Sequence, residues 1–137
     1  IHSVDSLRLA AHLSRISVEM GMTARIYLQV NLAGEDSKGG FCLKRLYEEL
    51  PSLLSLPHLD VKGLMTIPPV VDNPEEARGN FRKIRELRDG LEDDYGIDLS
   101  GLSMGMSHDY EVAIEEGATV VRVGSSIFGP RTSQVSP

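Results

Sequence analysis

The sequence contains few of the residues from which many functional sites are built. Cys42 is its one cysteine, which excludes an internal disulfide and a cysteine-based metal site. Tryptophan is absent, aromatic residues make up 5% of the chain, and the four histidines lack the spacing of metal ligands. No apolar run approaches the roughly 18 residues that a membrane-spanning helix needs. The unpaired cysteine favours a reducing compartment, so we expect the cytoplasm or the matrix or stroma of an organelle.

Positive charge is also scarce, with 14 Lys and Arg against 20 Asp and Glu and a net charge of −6. Nucleic acids and anionic membranes are bound by basic surfaces, so we expect neither as a partner. A single phosphate group is not excluded, because a few backbone amides and one arginine can hold it in an acidic protein. The length of 137 residues and the 41% apolar content predict one domain, residues 1–137, with a core of its own.

Strand and helix patterns alternate about four times along the chain. Apolar, β-branched segments predict strands at 24–32, 59–69 and 102–106, and a last strand in 119–129 that runs into a helical turn. Such alternation is typical of parallel strands joined by crossover helices, and it predicts an α/β architecture. A flavodoxin-like sheet and a (β/α)₈ barrel both fit. In either fold, ligands bind at the carboxyl ends of the strands.

Several element boundaries can be predicted from local chemistry. Pro51 is expected to end the helix after the first strand or to open a second short one. Asn73 is expected to cap the longest helix, with Pro74 in its first turn. Ser107 is expected to cap a short helix that stops near Gly117.

Two turns rich in Gly and Ser follow the last two predicted strands. The Ser107 hydroxyl and the amides after it are candidates for binding a phosphate at a helix N-terminus, the alternative being a plain helix cap. Gly124 and Ser125 lie in the second turn, where a glycine lets the backbone approach a ligand closely, unless the turn itself requires it. Parallel neighbouring strands would bring both turns to one rim. All strand-end candidates are His2, Ser3, Asn31, Met65, Thr66, Met104 to Ser107 and Arg122 to Ser125.

Arg122 interrupts the apolar strand VVRVG. A half-buried guanidinium needs a partner, either a ligand or an internal carboxylate. Motifs for other chemistries are missing, since the chain has no P-loop, no G-x-S-x-G and no G-x-G-x-x-G. Lys62 falls at a strand start and Lys83 on a helix, so no lysine is predicted at the strand ends, where a Schiff base would need one.

Four segments resemble the pyridoxal-phosphate-binding homeostasis protein family: IHSVDS at the start, QVNLAGEDSKGGF (29–41), GLMTIPP (63–69) and LSMGMSHDYEVAIEEGATVVRVGSSIFGPR (102–131). The resemblance implies a barrel of the alanine racemase N-terminal-domain type with pyridoxal 5'-phosphate (PLP) at its carboxyl rim. It further implies a role for six residues. Ser107, Gly124 and Ser125 would hold the 5'-phosphate, Arg122 would face the pyridine nitrogen, and Met65 and Met104 would lie near the cofactor. From the residues alone, both methionines would be assigned to the core.

The family carries its PLP lysine on the first barrel strand. By this resemblance the chain is the C-terminal portion of a (β/α)₈ barrel and lacks about the first three strands with that lysine. We therefore expect no Schiff base on this chain. We also expect exposed strand edges, which would pair with the missing segment or with another copy.

The resemblance implies a non-catalytic carrier or regulator in intracellular PLP homeostasis, with PLP-dependent apoenzymes as partners. Guanidinium only donates hydrogen bonds, so a pyridine nitrogen facing Arg122 stays unprotonated and the ring becomes a weaker electron sink. Only eight residues follow Gly129, too few for the second domain that supplies the tyrosine base of a racemase. The alternatives are a racemase-like PLP enzyme and a barrel enzyme acting on another phosphorylated metabolite.

Overall fold

Four parallel strands form one sheet in the computed structural model, which describes residues 1–32, 34 and 39–130. The strands are β1 (Ala24–Gln29), β2 (Leu59–Met65), β3 (Gly101–Met106) and β4 (Val120–Arg122). Their order in the sheet is β1-β2-β3-β4, so each crossover moves one strand further in the same direction. A flavodoxin-like sheet reverses direction at a switch point. The described strands show no such reversal, and the predicted α/β class with a parallel sheet is confirmed.

Helices alternate with these strands and cover one face of the sheet. They are α1 (Leu7–Glu19), α2 (Leu43–Ser55), α3 (Arg78–Tyr95) after a 3₁₀ turn at Pro74–Ala77, α4 (Tyr110–Glu115) and α5 (Ser125–Phe128). Within the described ranges, no helix combines the length and the apolar character of a membrane span. The core between helices and sheet includes Ala10, Ile26, Leu28, Leu46, Leu50, Leu64, Phe81, Ile84, Leu102 and Met104.

The first four residues run beside β1 in the parallel sense. The amide of Tyr27 donates to the carbonyl of Ile1 at 2.8 Å, and that of Gln29 donates to the carbonyl of Val4 at 2.9 Å. This pairing brings the imidazole of His2 against the ring of Tyr27, with 4.3 Å between the ring centroids. The segment therefore places His2 on the sheet face opposite the helices.

Two glycines allow β2 and β3 to approach closely on that open face. Gly63 and Gly101 are paired across the two strands. A Cβ on Gly63 would lie 1.8 Å from the carbonyl oxygen of Gly101, and a Cβ on Gly101 would lie 2.5 Å from Cε1 of Tyr27. The Tyr27 ring thus occupies the space that a side chain at position 101 would need.

The predicted boundaries are confirmed only in part, since the one at Pro51 is wrong and Asn73 caps the 3₁₀ turn before α3 rather than α3 itself. Asn73 accepts the Glu75 amide at 3.1 Å, and the short helix α4 ends just before Gly117. Pro51, however, lies inside α2, which continues to Ser55. Proline leaves the carbonyl four residues earlier without its helical donor. The hydroxyl of Tyr95 donates to that carbonyl, on Tyr47, at 3.4 Å.

A buried carboxylate joins α3 to the end of α4. Glu116 is 5% exposed and lies 3.1 Å from Arg78, 3.3 Å from Arg82 and 3.0 Å from Arg85. Hydrogen bonds from Arg82 and then Arg78 hold the pKa of Glu116 below its usual value, although burial acts in the opposite direction. The cluster fixes the segment that leads from β3 into β4.

We predict that Glu116→Gln lowers the thermal unfolding midpoint at pH 7 by several degrees, because three guanidinium groups lose their shared carboxylate. A carboxyl group with a lowered folded-state pKa stabilises the fold above its unfolded pKa, and this stabilisation is lost as the pH falls. The native protein should therefore lose stability as the pH falls below about 4.5, the ordinary value for the group, and the variant should lose less there. Thermal unfolding across this pH range measures both effects. Glu86→Gln, a charge-matched change at an exposed position of α3, is the control, and equal profiles for both variants would contradict the prediction.

Candidate functional site

The two turns rich in Gly and Ser meet at the carboxyl ends of β3 and β4. The Oγ of Ser107 accepts a hydrogen bond from the amide of Gly124 at 3.1 Å and another from the amide of Ser126 at 3.2 Å. These two bonds occupy both lone pairs of the hydroxyl oxygen. The hydroxyl proton therefore remains available to an acceptor such as a phosphate oxygen.

Ser107 does not cap a helix, so that prediction is wrong. The helix after β3 begins at Tyr110, and the turn before it is closed by Asp109, whose Oδ1 accepts the Met106 amide at 2.7 Å. The helix α4 has six residues and α5 has four, so their dipoles add little to anion binding. The candidate anion donors at this rim are therefore the Ser107 hydroxyl and the backbone amides around it.

Space is open beside Gly124. No atom lies within 4 Å of the position that a Cβ at residue 124 would take. The φ angle of Gly124 is −122°, so a left-handed backbone does not explain the glycine. Gly124 and Ser125 are both exposed, and the backbone here is accessible to a ligand.

Arg122 crosses the open face of the sheet toward β3 and β2. Its Nη1 donates to Oγ of Ser103 at 2.7 Å, and its Nη2 donates to the carbonyl of Thr66 at 3.0 Å. Both acceptors are neutral, so the internal ion pair that the sequence left open is not what holds the guanidinium. Burial lowers the pKa of Arg122, while the charge of Asp109 raises it. The group keeps its positive charge and has further N–H donors for a ligand.

The two candidate methionines lie in different places. Met65 is 3% exposed and is paired in register with Ser103, which puts it on the face that Arg122 crosses. Met104 is fully buried and belongs to the core between sheet and helices. The structure thus brings Met65 to the candidate site and leaves Met104 behind it.

Ser103 is a site residue that the sequence analysis missed. Besides the bond from Arg122, its Oγ lies 2.8 Å from Nδ1 of His2. A signal was present in the alternation of β3, because Leu102 and Met104 belong to the core and the residue between them faces the other way. The strand was predicted as a short apolar segment, so the polar Ser103 within it was not considered as a site residue.

The described lysines lie away from the rim. Lys44 on α2 pairs with Glu48, Lys62 on β2 pairs with Asp60 at 2.8 Å, and Lys83 lies on α3. Lys38 falls outside the described residues. Within the described ranges, no group of three or more His, Cys, Asp or Glu side chains could hold a metal ion.

Fold and site together define an α/β protein with a parallel sheet, whose candidate site lies at the carboxyl ends of the strands. The family model for the alanine racemase N-terminal domain matches residues 1–132, and the chain belongs to that family. It is 49% identical to a pyridoxal phosphate homeostasis protein from Aquifex aeolicus over 131 residues, 96% of this chain and 58% of that protein. The resemblance seen in the sequence is confirmed.

Solved structures agree with this assignment. PipY of Synechococcus elongatus, solved with PLP bound, superposes with a TM-score of 0.87 at 39% identity, covering 94% of this chain and 60% of PipY. Diaminopimelate decarboxylase from M. jannaschii has a TM-score of 0.74 at 13% identity, covering 90% of this chain and 38% of that enzyme, a likeness of fold alone. The chain thus spans about three fifths of the length of the homeostasis protein and of PipY.

Proposed function

We propose that this chain binds PLP and acts in intracellular PLP homeostasis as a non-catalytic carrier or regulator. The observation that carries the proposal is the meeting of the Ser107 hydroxyl with the amides of Gly124 and Ser126. With both amides donating to its oxygen, the Ser107 hydroxyl keeps its proton for an acceptor on an accessible rim, which suits a phosphate monoester. Two relatives suggest which phosphate this is, since the Aquifex protein is named for pyridoxal phosphate and PipY was solved with PLP bound.

The phosphate and the pyridine ring of the cofactor would each have a matching group. Ser107, Gly124 and Ser125 would hold the 5'-phosphate, and Arg122 would face the pyridine nitrogen with the donors that Ser103 and Thr66 leave unused. Met65 would lie near the ring, whereas Met104 would act from behind it as a core residue. When bound, PLP supplies an aldehyde and an electron-withdrawing ring. A donor-only guanidinium keeps the ring nitrogen unprotonated and so weakens the electron sink.

A racemase-like PLP enzyme is the second candidate, because diaminopimelate decarboxylase shares the fold. The first candidate is favoured because the Aquifex relative is named a homeostasis protein. A racemisation assay on the intact protein separates the two, and clear turnover would overturn the non-catalytic assignment. A barrel enzyme for another phosphorylated metabolite would leave the PLP spectrum unchanged on mixing.

The finer architecture is also a proposal. Residues 1–137 would form one domain whose four strands correspond to the C-terminal portion of a (β/α)₈ barrel, a view supported by the unreversed strand order. The outer edges of the sheet would then pair with further strands or, in their absence, with another copy. PLP-dependent apoenzymes would be the partners that receive the cofactor, in the cytoplasm or an organelle.

Comparing PLP with pyridoxal, which lacks the phosphate, tests the phosphate site in the intact protein. We predict that Ser107→Ala weakens PLP binding about 10- to 100-fold, because a hydrogen bond to a charged group contributes about 1.5–3 kcal/mol. The weaker binding of pyridoxal should change little. Titration followed by the absorption of the ring measures both affinities.

Ser55→Ala on α2 is the matched control, since the Ser55 hydroxyl is exposed and bonds to the Ser52 carbonyl. It should leave both affinities unchanged. Equal loss of PLP and pyridoxal binding in Ser107→Ala would remove Ser107 from the phosphate site.

A further inference from the structure

Ser103 joins Arg122 to His2 through a single hydroxyl group. Ser103 is fully buried in β3, 2.7 Å from Nη1 of Arg122 and 2.8 Å from Nδ1 of His2. A guanidinium can only donate, so the Ser103 oxygen accepts from Arg122. The oxygen could accept a second N–H, but the proton of this fully buried hydroxyl would then lose Nδ1 of His2 as its acceptor. We therefore assign the hydroxyl as the donor and Nδ1 of His2 as the acceptor.

This direction of hydrogen bonding fixes the form of His2. An imidazole that accepts at Nδ1 is neutral and carries its proton on Nε2. The surroundings act in the same sense, because burial first, and also the charge of Arg122, lower the pKa of His2. The neighbouring Tyr27 ring, 4.3 Å away between centroids, holds the imidazole from one side.

We infer that Ser103 is a positioning residue that, supported by neutral His2, holds the Arg122 guanidinium in the orientation in which it meets the ring nitrogen of PLP. The Thr66 carbonyl fixes Nη2 at 3.0 Å, and Ser103 fixes Nη1, so two anchors on two strands set the plane of the guanidinium. If only one of these hydrogen bonds were present, the guanidinium could still rotate about it. The inference rests on the proposed function in one respect, that the ligand is PLP.

The test compares PLP with its 1-deaza analogue, in which a carbon replaces the ring nitrogen. In the intact protein, Ser103→Ala is expected to weaken PLP binding about 3- to 10-fold, the range of one lost hydrogen bond. Binding of the analogue is expected to stay within about twofold, because it offers Arg122 no acceptor. Equal weakening of both ligands, or no weakening of PLP, would overturn the positioning role.

Ser14→Ala is the matched control for a buried serine. Ser14 is 3% exposed and its hydroxyl donates to the Pro57 carbonyl, on the helix side of the sheet. The Ser14→Ala variant should be less stable, but the ratio of its affinities for PLP and for the 1-deaza analogue should stay at the native value. A change in that ratio as large as in Ser103→Ala would count against the inference.

A second measurement needs no cofactor. The ¹⁵N chemical shifts of the His2 ring in the ligand-free protein, assigned with His2→Gln, should show a neutral imidazole protonated at Nε2 at pH 7. Ser103→Ala should remove the tautomer preference. A ring protonated at Nδ1, or charged at pH 7, would contradict the hydrogen bond from Ser103 to His2 on which the positioning role depends. If the native protein bound neither ligand, the proposed function would fail. The chemical shifts would still show whether Ser103 donates its proton to His2.

Discussion

Gly63→Ala is expected to leave the protein unable to fold. The added Cβ would lie 1.8 Å from the carbonyl oxygen of Gly101, far inside contact distance, and the obstacle is backbone rather than a movable side chain. Relief requires β2 and β3 to separate, which would break the pairing that holds the centre of the sheet. Such overpacking should exceed the usual cost of about 1–3 kcal/mol for an added methyl group in a core. Soluble yield and far-ultraviolet circular dichroism measure the outcome.

Gly79→Ala provides the comparison for the same chemical change. Gly79 lies in the first turn of α3, is exposed, and would have no atom within 4 Å of a new Cβ. Alanine there should stabilise the protein by about 0.5–1 kcal/mol, since glycine is a poor helix former. Gly63→Ala with native yield and a native spectrum would show that the two strands do not require the glycine contact.

Gly124→Val is expected to reduce PLP affinity at least about 100-fold, equivalent to about 2.8 kcal/mol. The branched side chain would occupy the open space beside the backbone and exclude the phosphate from the amides and from the Ser107 hydroxyl. The new Cβ meets no atom within 4 Å, but a φ of −122° with a ψ of −71° lies outside the regions that a branched residue prefers, so a small loss of stability is expected beside the loss of binding. Ring absorption titrated with PLP, together with thermal unfolding, separates lost binding from lost structure.

Two comparisons sharpen that result. Gly124→Ala should fall between the native protein and the valine variant, because one methyl group fills part of the space. Gly79→Val, on the exposed surface of α3, should leave PLP affinity unchanged. Native affinity in Gly124→Val would remove the second turn from the site.

The fold class was predictable because it depends on local periodicity. Alternating strand and helix patterns predicted the parallel sheet, and Asn73 with Pro74 marked the 3₁₀ turn that precedes the long helix. The prediction failed at Pro51, where a hydroxyl 44 residues later in the sequence, on Tyr95, reaches the carbonyl of Tyr47. Such compensation depends on tertiary contacts that local rules do not contain.

The candidate site was predictable in composition and less so in detail. The pattern of small residues after two neighbouring strands indicated the rim, and the isolated charge in VVRVG indicated Arg122. The sequence could not show that Asp109 closes the turn after β3 and leaves the Ser107 hydroxyl for the Gly124 and Ser126 amides. Nor did it show Ser103 between Arg122 and His2, since that contact joins residues 101 positions apart.

The contacts of the rim differ widely in sequence separation, and this bears on the order in which the site assembles. The contacts of Ser107 with the second turn close loops of 17 and 19 residues within one β–α–β unit, whereas those from Arg122 to Thr66 and from His2 to Ser103 span 56 and 101 residues. Longer loops cost more entropy to close, although the cost rises only slowly with length. The contacts of Ser107 can therefore form as a local unit, while those of Arg122 and His2 require the remaining strands to be in place.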